Sequence, residues 1–93
     1  MPFLFPMQPF TKTEVARLHP DQKGVYGIFR GSLCVYVGSG DIRQRLLDHL
    51  NGDNPCIARK QPDSWTAIVT ADYLDNEKKL TLEYNPVCNK RVG

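Results

Sequence analysis

The sequence is poor in nearly every feature that would place a chain in a specialised class. Its 93 residues include only three cysteines, Cys34, Cys56 and Cys88, and two histidines, His19 and His49. No C-x-x-C occurs and the histidines follow no zinc spacing, which argues against a structural zinc site. An odd number of widely spaced cysteines also argues against a disulfide framework. All three are expected as reduced thiols acting as small apolar side chains, in a cytoplasmic setting. Nothing approaches the run of about 18 consecutive apolar residues that a membrane span needs, so no membrane partner is expected. Residues 1–7 are apolar, but they lack a basic leading segment and an A-x-A cleavage site. With Pro2 and Pro6 among them they do not read as a signal peptide. Internal repeats and low-complexity tracts are absent too.

Charge of one sign is equally scarce. Twelve Lys and Arg face ten Asp and Glu, a formal charge of +2. That permits an anionic partner without demanding one. With 41% apolar and 24% charged residues, the composition is that of a folded domain and excludes a disordered chain. The length suits one small domain with a modest core.

Local signals divide this domain into short elements. Residues 1–10, punctuated by Pro2, Pro6 and Pro9, suggest an extended N-terminal arm ahead of a folded unit over 11–93. Thr11-x-x-Glu14 is a capping-box pattern opening a short helix that must stop before His19-Pro20. Two β-branched and aromatic runs, 24–30 and 33–38, are separated by Gly31-Ser32 and predict a hairpin. Asp41 can cap a helix over 41–50, where Ile42, Leu46, Leu47 and Leu50 recur at helical spacing and Asn51-Gly52 ends it. A short helical piece is expected over 54–60, a third strand over 64–71 and a last helix over 73–84, stopped by Asn85-Pro86. The expected fold is α+β, a small three-stranded antiparallel sheet flanked by helices.

Four features of this layout bear on chemistry. Tyr26 and Tyr36 each sit near a glycine on the hairpin, in Gly24-Val25-Tyr26 and Tyr36-Val37-Gly38; strand glycine often marks a close approach of another group. Arg45 and His49 lie one turn apart on one helix face, and an arginine fork matches a phosphate. Glu77 falls on the same stripe as Tyr73, Leu80 and Tyr84, so its carboxylate points with the apolar residues and needs a partner or a metal. Asn85-Pro86-Val87-Cys88-Asn89 ends the helix with an asparagine able to tie the loop back. Taken singly, each has an ordinary structural explanation: core-edge tyrosines, solvated helix charges, a first-turn acid, a helix stop.

Taken together they resemble the GIY-YIG nucleases. Gly24-Val25-Tyr26, nine residues, then Tyr36-Val37-Gly38 matches the two-part signature, with valines in place of isoleucines. Arg45 and His49 match the arginine and the aromatic or histidine that follow. Glu77, Leu80, Pro86 and Asn89 match the final helix and its exit. The resemblance spans about residues 24–89. Ser39 stands where some members carry a lysine, and the stretch from Tyr36 to Arg45 is one residue shorter than in the bacterial excision-repair member, so Arg43 is the alternative phosphate arginine.

The resemblance implies a metal-dependent DNA endonuclease in repair, recombination or mobile-element processing. Glu77 would hold Mg²⁺ or Mn²⁺ and Arg45 would contact the phosphate. Tyr26 would orient or deprotonate the attacking water. Tyr36 would complete the hydrogen-bond network, with His49 positioning it or relaying a proton. Gly24, Gly38, Ser39 and Asn89 would support the site, Gly38 by letting the substrate come close and Asn89 by bracing the last loop. Arg43, Lys78 and Lys79, with Arg30, Arg59, Lys60, Lys90 and Arg91, would track the DNA backbone. Selectivity would come from DNA structure, a partner protein or a homodimer. The alternative is a non-catalytic module of the same fold that grips nucleic acid.

Overall fold

The computed structural model describes residues 7–89; Lys90 and Arg91 of the expected basic tail lie outside them, as does most of the N-terminal arm. The elements run β1 (Gln8–Pro9), α1 (Lys12–Ala16), β2 (Lys23–Arg30), β3 (Leu33–Asp41), α2 (Ile42–Leu50), α3 (Pro55–Lys60), β4 (Ser64–Val69) and α4 (Tyr73–Tyr84). Each helix start has a local cause. Thr11 accepts the Glu14 N–H at 3.3 Å, and Asp41 accepts the Gln44 N–H at 3.2 Å. Asn54 accepts from the N–H groups of Cys56 and Ile57, with Pro55 supplying a preset φ in the first turn of α3. The last helix has the expected bounds, but the Asp72 side chain makes no capping hydrogen bond.

The architecture is α+β as expected, but the sheet has four strands, not three. Its order is β1-β4-β2-β3, with antiparallel pairing throughout. The extra strand is the two-residue end of the arm: Gln8 pairs with Trp65 and Pro9 with Ser64. Proline is tolerated there because β1 is an edge. The Trp65 indole N–H donates to the Pro9 carbonyl at 3.1 Å and fastens the strand. A strand of two residues, one of them proline, has no alternating pattern to announce it. β4 itself ends at Val69, two residues earlier than expected.

Each face of the sheet carries its own core. On one face Tyr26, Ile28, Val35 and Trp65 pack with Val15, Ile42, Leu46 and Ile57 from the first three helices. On the other, Val25, Phe29, Cys34 and Val37 pack with Leu80 of α4. The alternation along β3 is broken. Its register with β2 shifts between Ile28 and Phe29, so Phe29 faces Cys34 while Ile28 faces Tyr36, leaving Val35 as an extra residue. Without that bulge Tyr36 would share the face of Cys34. With it, Tyr36 lies on the face of Tyr26 and α2.

The expected three free thiols are also corrected. Cys56 and Cys88 form a disulfide, with Cα atoms 5.7 Å apart and a sequence separation of 32; Cys34 is free and buried. Sequence spacing hid the pair because the chain after α4 folds back beside β3 and α3. Val87 N–H donates to the Cys34 carbonyl and Cys88 N–H to the Val35 carbonyl at 2.8 Å, which seats Cys88 near α3. No helix among the described residues is long and apolar enough to cross a membrane.

Candidate active site

The site forms where β3, the outer strand, lies between α2 and α4. The hairpin brings the two tyrosines together, with ring centroids 6.3 Å apart. Gly38 explains how they fit. A Cβ built on Gly38 would lie 2.5 Å from Tyr26 Cζ and 2.8 Å from Tyr36 Cε2. The close approach it permits in this structure is that of the tyrosine pair. Gly24 has the same kind of reason on the other side of β2, where its Cβ would strike the Ile68 backbone of β4. Ser39 pairs with Val25 on the same hairpin.

The two α2 residues reach this pair from one helix face. His49 is buried, and its ring centroid is 5.6 Å from that of Tyr26 and 5.1 Å from that of Tyr36. The Tyr26 hydroxyl lies 2.7 Å from His49 Nε2. On its far side, His49 Nδ1 lies 2.8 Å from Asp53 Oδ1. Sequence reasoning missed Asp53. Its signal was the four-residue spacing from His49, lost in the polar turn Asn51-Gly52-Asp53. Arg45 is the arginine whose positive charge acts on both phenols. Arg43, the alternative named from the sequence, lies two residues away, about 200° round the helix. Arg45 also stands 3.7 Å from Asp48, a weak exposed pairing.

α4 supplies the opposite charge. Glu77 is part-buried, and its charge acts on both Tyr26 and Tyr36. Among the described residues its carboxylate makes no hydrogen bond or ion pair. It lines an open groove of roughly 660 Å³ with Tyr36, Asn54, Lys78, Cys88 and Asn89. Lys79, one residue on, faces elsewhere and pairs with Asp75 at 3.1 Å. Asn89 is clamped to β3: its Oδ1 accepts the Val37 N–H and its Nδ2 donates to the Val37 carbonyl, both at 2.8 Å. Of the more distant basic residues, Arg30 donates to the Gln61 carbonyl, and Arg59 and Lys60 end α3 on an exposed surface.

Electrostatics separate the two phenols. Burial pushes the Tyr26 hydroxyl well above its ordinary range, the neighbouring Tyr36 adds to this, and Arg45 offsets part of it. Burial also raises Tyr36, with Arg45 working against it. Burial opposes the charge on Arg45, but the two tyrosines and Asp53 outweigh it and leave its pKa raised. Burial lowers His49 below its usual value despite Asp53, so the ring is neutral at neutral pH. Tyr26 is wholly buried, whereas Tyr36 is part-exposed and lines the groove. Tyr36, not Tyr26, is thus the phenol open to the groove.

The donor set suits a hard, hydrated cation. Among the described residues no group of three or more His, Cys, Asp or Glu could cage a metal. One carboxylate in an open groove, unpaired among the described residues, fits Mg²⁺, which keeps several waters and takes one or two carboxylates. It does not fit zinc in a closed site.

The fold is that of the GIY-YIG endonuclease domain. Its structural relatives include the GIY-YIG N-terminal endonuclease domain of UvrC from Thermotoga maritima bound to its catalytic divalent cation, magnesium. That structure has a TM-score of 0.73 and 24% identity, covering 85% of this chain and 96% of that one. A point mutant of the same domain, also bound to its catalytic divalent cation, gives a TM-score of 0.73 at 23% identity over 86% of this chain and 96% of that one. No family model and no curated protein matches the sequence.

Proposed function

We propose that the protein is a divalent-cation-dependent endonuclease that hydrolyses phosphodiester bonds in DNA. One observation carries this reading: Arg45 from α2 and Glu77 from α4 act on the same two phenols, Tyr26 and Tyr36. A cation and an anion acting on one pair of phenols suit a phosphate and a metal better than they suit a packed core. Glu77 would hold Mg²⁺ or Mn²⁺. When bound, the cation supplies neutralising charge at the phosphate and at the departing 3′-oxygen. Arg45 donates to the phosphate oxygens as negative charge develops there. Tyr36, at the groove, orients the attacking water. Tyr26 and His49 fix Arg45 and Tyr36 from behind, and Asn89 holds the strand that carries Tyr36.

Lys78 at the groove, and Arg43 and Lys79 on the helix surfaces, supply contacts to the sugar-phosphate backbone. With so little surface for base reading, selectivity falls to DNA shape, a partner protein or a second copy. Repair, recombination and mobile-element processing would each present such a substrate. The cytoplasmic expectation, which rested on free thiols, now rests on the DNA substrate alone.

The test is incubation with supercoiled, single-stranded and branched DNA in Mg²⁺, Mn²⁺ or EDTA. Cleavage should require the metal. Glu77→Ala should lose at least about a hundredfold in rate while melting near the parental temperature, because no hydrogen bond or ion pair among the described residues is removed. Metal-independent binding without cleavage on any substrate would replace this reading with the non-catalytic module.

A further inference from the structure

The groups around His49 form a directional chain. Asp53 Oδ1 is 2.8 Å from His49 Nδ1, and Tyr26 Oη is 2.7 Å from His49 Nε2. A carboxylate only accepts, so Nδ1 carries the ring hydrogen and donates it to Asp53. Nε2 is left as a lone pair, and the Tyr26 hydroxyl donates to it. Its single proton committed, Tyr26 has only lone pairs to turn toward Arg45, whose positive charge acts on this phenol. A guanidinium only donates. Both links from Asp53 to the Tyr26 oxygen therefore run in one sense and leave that oxygen's lone pairs to face the Arg45 charge.

The other tautomer breaks that sense. With the hydrogen on Nε2, His49 would donate to the Tyr26 oxygen, and the phenol proton would turn toward Arg45, donor against donor. Arg45 would then be left with Asp48, at 3.7 Å on its own helix, which draws it along the helix surface.

We propose that Asp53 is a positioning residue of the site: by fixing the Nδ1–H tautomer of His49 it turns the lone pairs of Tyr26 to Arg45 and holds the guanidinium ready for a phosphate. The effect on catalysis rests on the nuclease reading; the effect on the tautomer does not. Asp53 is well placed to be tested. Its side chain is 37% exposed in the turn after α2, so replacing it opens no cavity.

The experiment compares wild type with Asp53→Asn and Asp53→Ala in two readouts. The first is long-range ¹H–¹⁵N correlation of the His49 ring, which reports the protonated nitrogen. The second is cleavage kinetics in Mg²⁺. Wild type should show Nδ1–H. Asp53→Asn, whose amide can donate to Nδ1, should move the hydrogen to Nε2. Its kcat should fall roughly tenfold to a hundredfold, with KM within about twofold because binding of the rest of the DNA is untouched. Asp53→Ala should lose the tautomer preference and fall similarly, and Asp53→Glu should recover part of both. A His49 ring that keeps Nδ1–H in both Asp53→Asn and Asp53→Ala overturns the proposal, as does a tautomer change with unaltered kcat. A wild-type protein that cuts no DNA overturns the nuclease reading instead, and the ring spectrum still decides what Asp53 does to His49.

Discussion

The side chain of Asn89 is hydrogen-bonded to both backbone groups of Val37, accepting from its N–H and donating to its carbonyl, each at 2.8 Å. It acts as one residue of an added strand on the exposed edge of β3. The Cys88 N–H continues that edge by donating to Val35. Tyr36 lies between these two anchored positions, so the loop after α4 fixes the strand segment that presents the groove phenol.

Asn89→Ala should therefore have two separable effects. Losing a hydrogen-bonding pair from part-buried backbone groups should cost about 1–3 kcal/mol in urea unfolding. Cleavage should fall further than that loss explains at temperatures where the variant is fully folded, because Tyr36 is no longer held. Parental cleavage by a folded Asn89→Ala protein would detach Asn89 from the site.

Gly38→Ala probes the tyrosine pair from the backbone side. The added methyl has no room, being 2.5 Å from Tyr26 Cζ and 2.8 Å from Tyr36 Cε2. The Tyr26 ring is wholly buried and cannot move aside freely, so the clash should cost about 1–3 kcal/mol as overpacking. The Tyr26–His49 hydrogen bond should also be disturbed. Thermal melting measures the first, and the His49 ring resonances measure the second. Unchanged melting would mean the rings yield more easily than their burial indicates.

The parts of this layout that were legible in sequence are those governed by local rules. Thr11 and Asp41 cap as their residue types dictate, and the helix over 73–84 starts and stops where its stripe and Asn85-Pro86 place it. Glu77 was legible because a carboxylate interrupting the stripe of Tyr73, Leu80 and Tyr84 is costly without a purpose. What escaped was decided by distant partners. The β3 bulge exists only relative to β2, yet it puts Tyr36 on the face of Tyr26. The strand at Gln8–Pro9 is defined by β4, the Cys56–Cys88 bond by the return of the chain past β3, and Asp53 by where His49 points.

Acid should weaken the fold through His49. Burial lowers its pKa below 6.5; Asp53 and Asp48 pull it up, and Arg45 pushes it down. The unfolded chain binds the proton at about 6.5, while the folded one resists it. The contribution is thus fully present above that value and is lost as pH falls through it toward the lowered folded value. Urea midpoints measured from about pH 8 to about pH 5 should decline over this window. The decline should shrink in His49→Gln, which has nothing to titrate at that position. An equal decline in both proteins would assign it to other groups.

Reduction should test the Cys56–Cys88 bond and, with it, the anchoring of the loop that carries Asn89. The bond spans 32 residues of sequence. Closing a loop of that length removes chain entropy worth about 3–4 kcal/mol from the unfolded state. A reductant should therefore lower the melting temperature by more than about 10 °C in a domain of this size. Cys34 gives an internal control, because burial pushes its thiol up to about 12 and leaves it scarcely ionised. A thiol-reactive chromophore should accordingly find no fast thiol in the folded oxidised protein and one after unfolding. With prior reduction, unfolding should release three. Three thiols from the unfolded, unreduced protein would show that the bond does not form in solution, and Asn89 would then depend on its backbone partners alone.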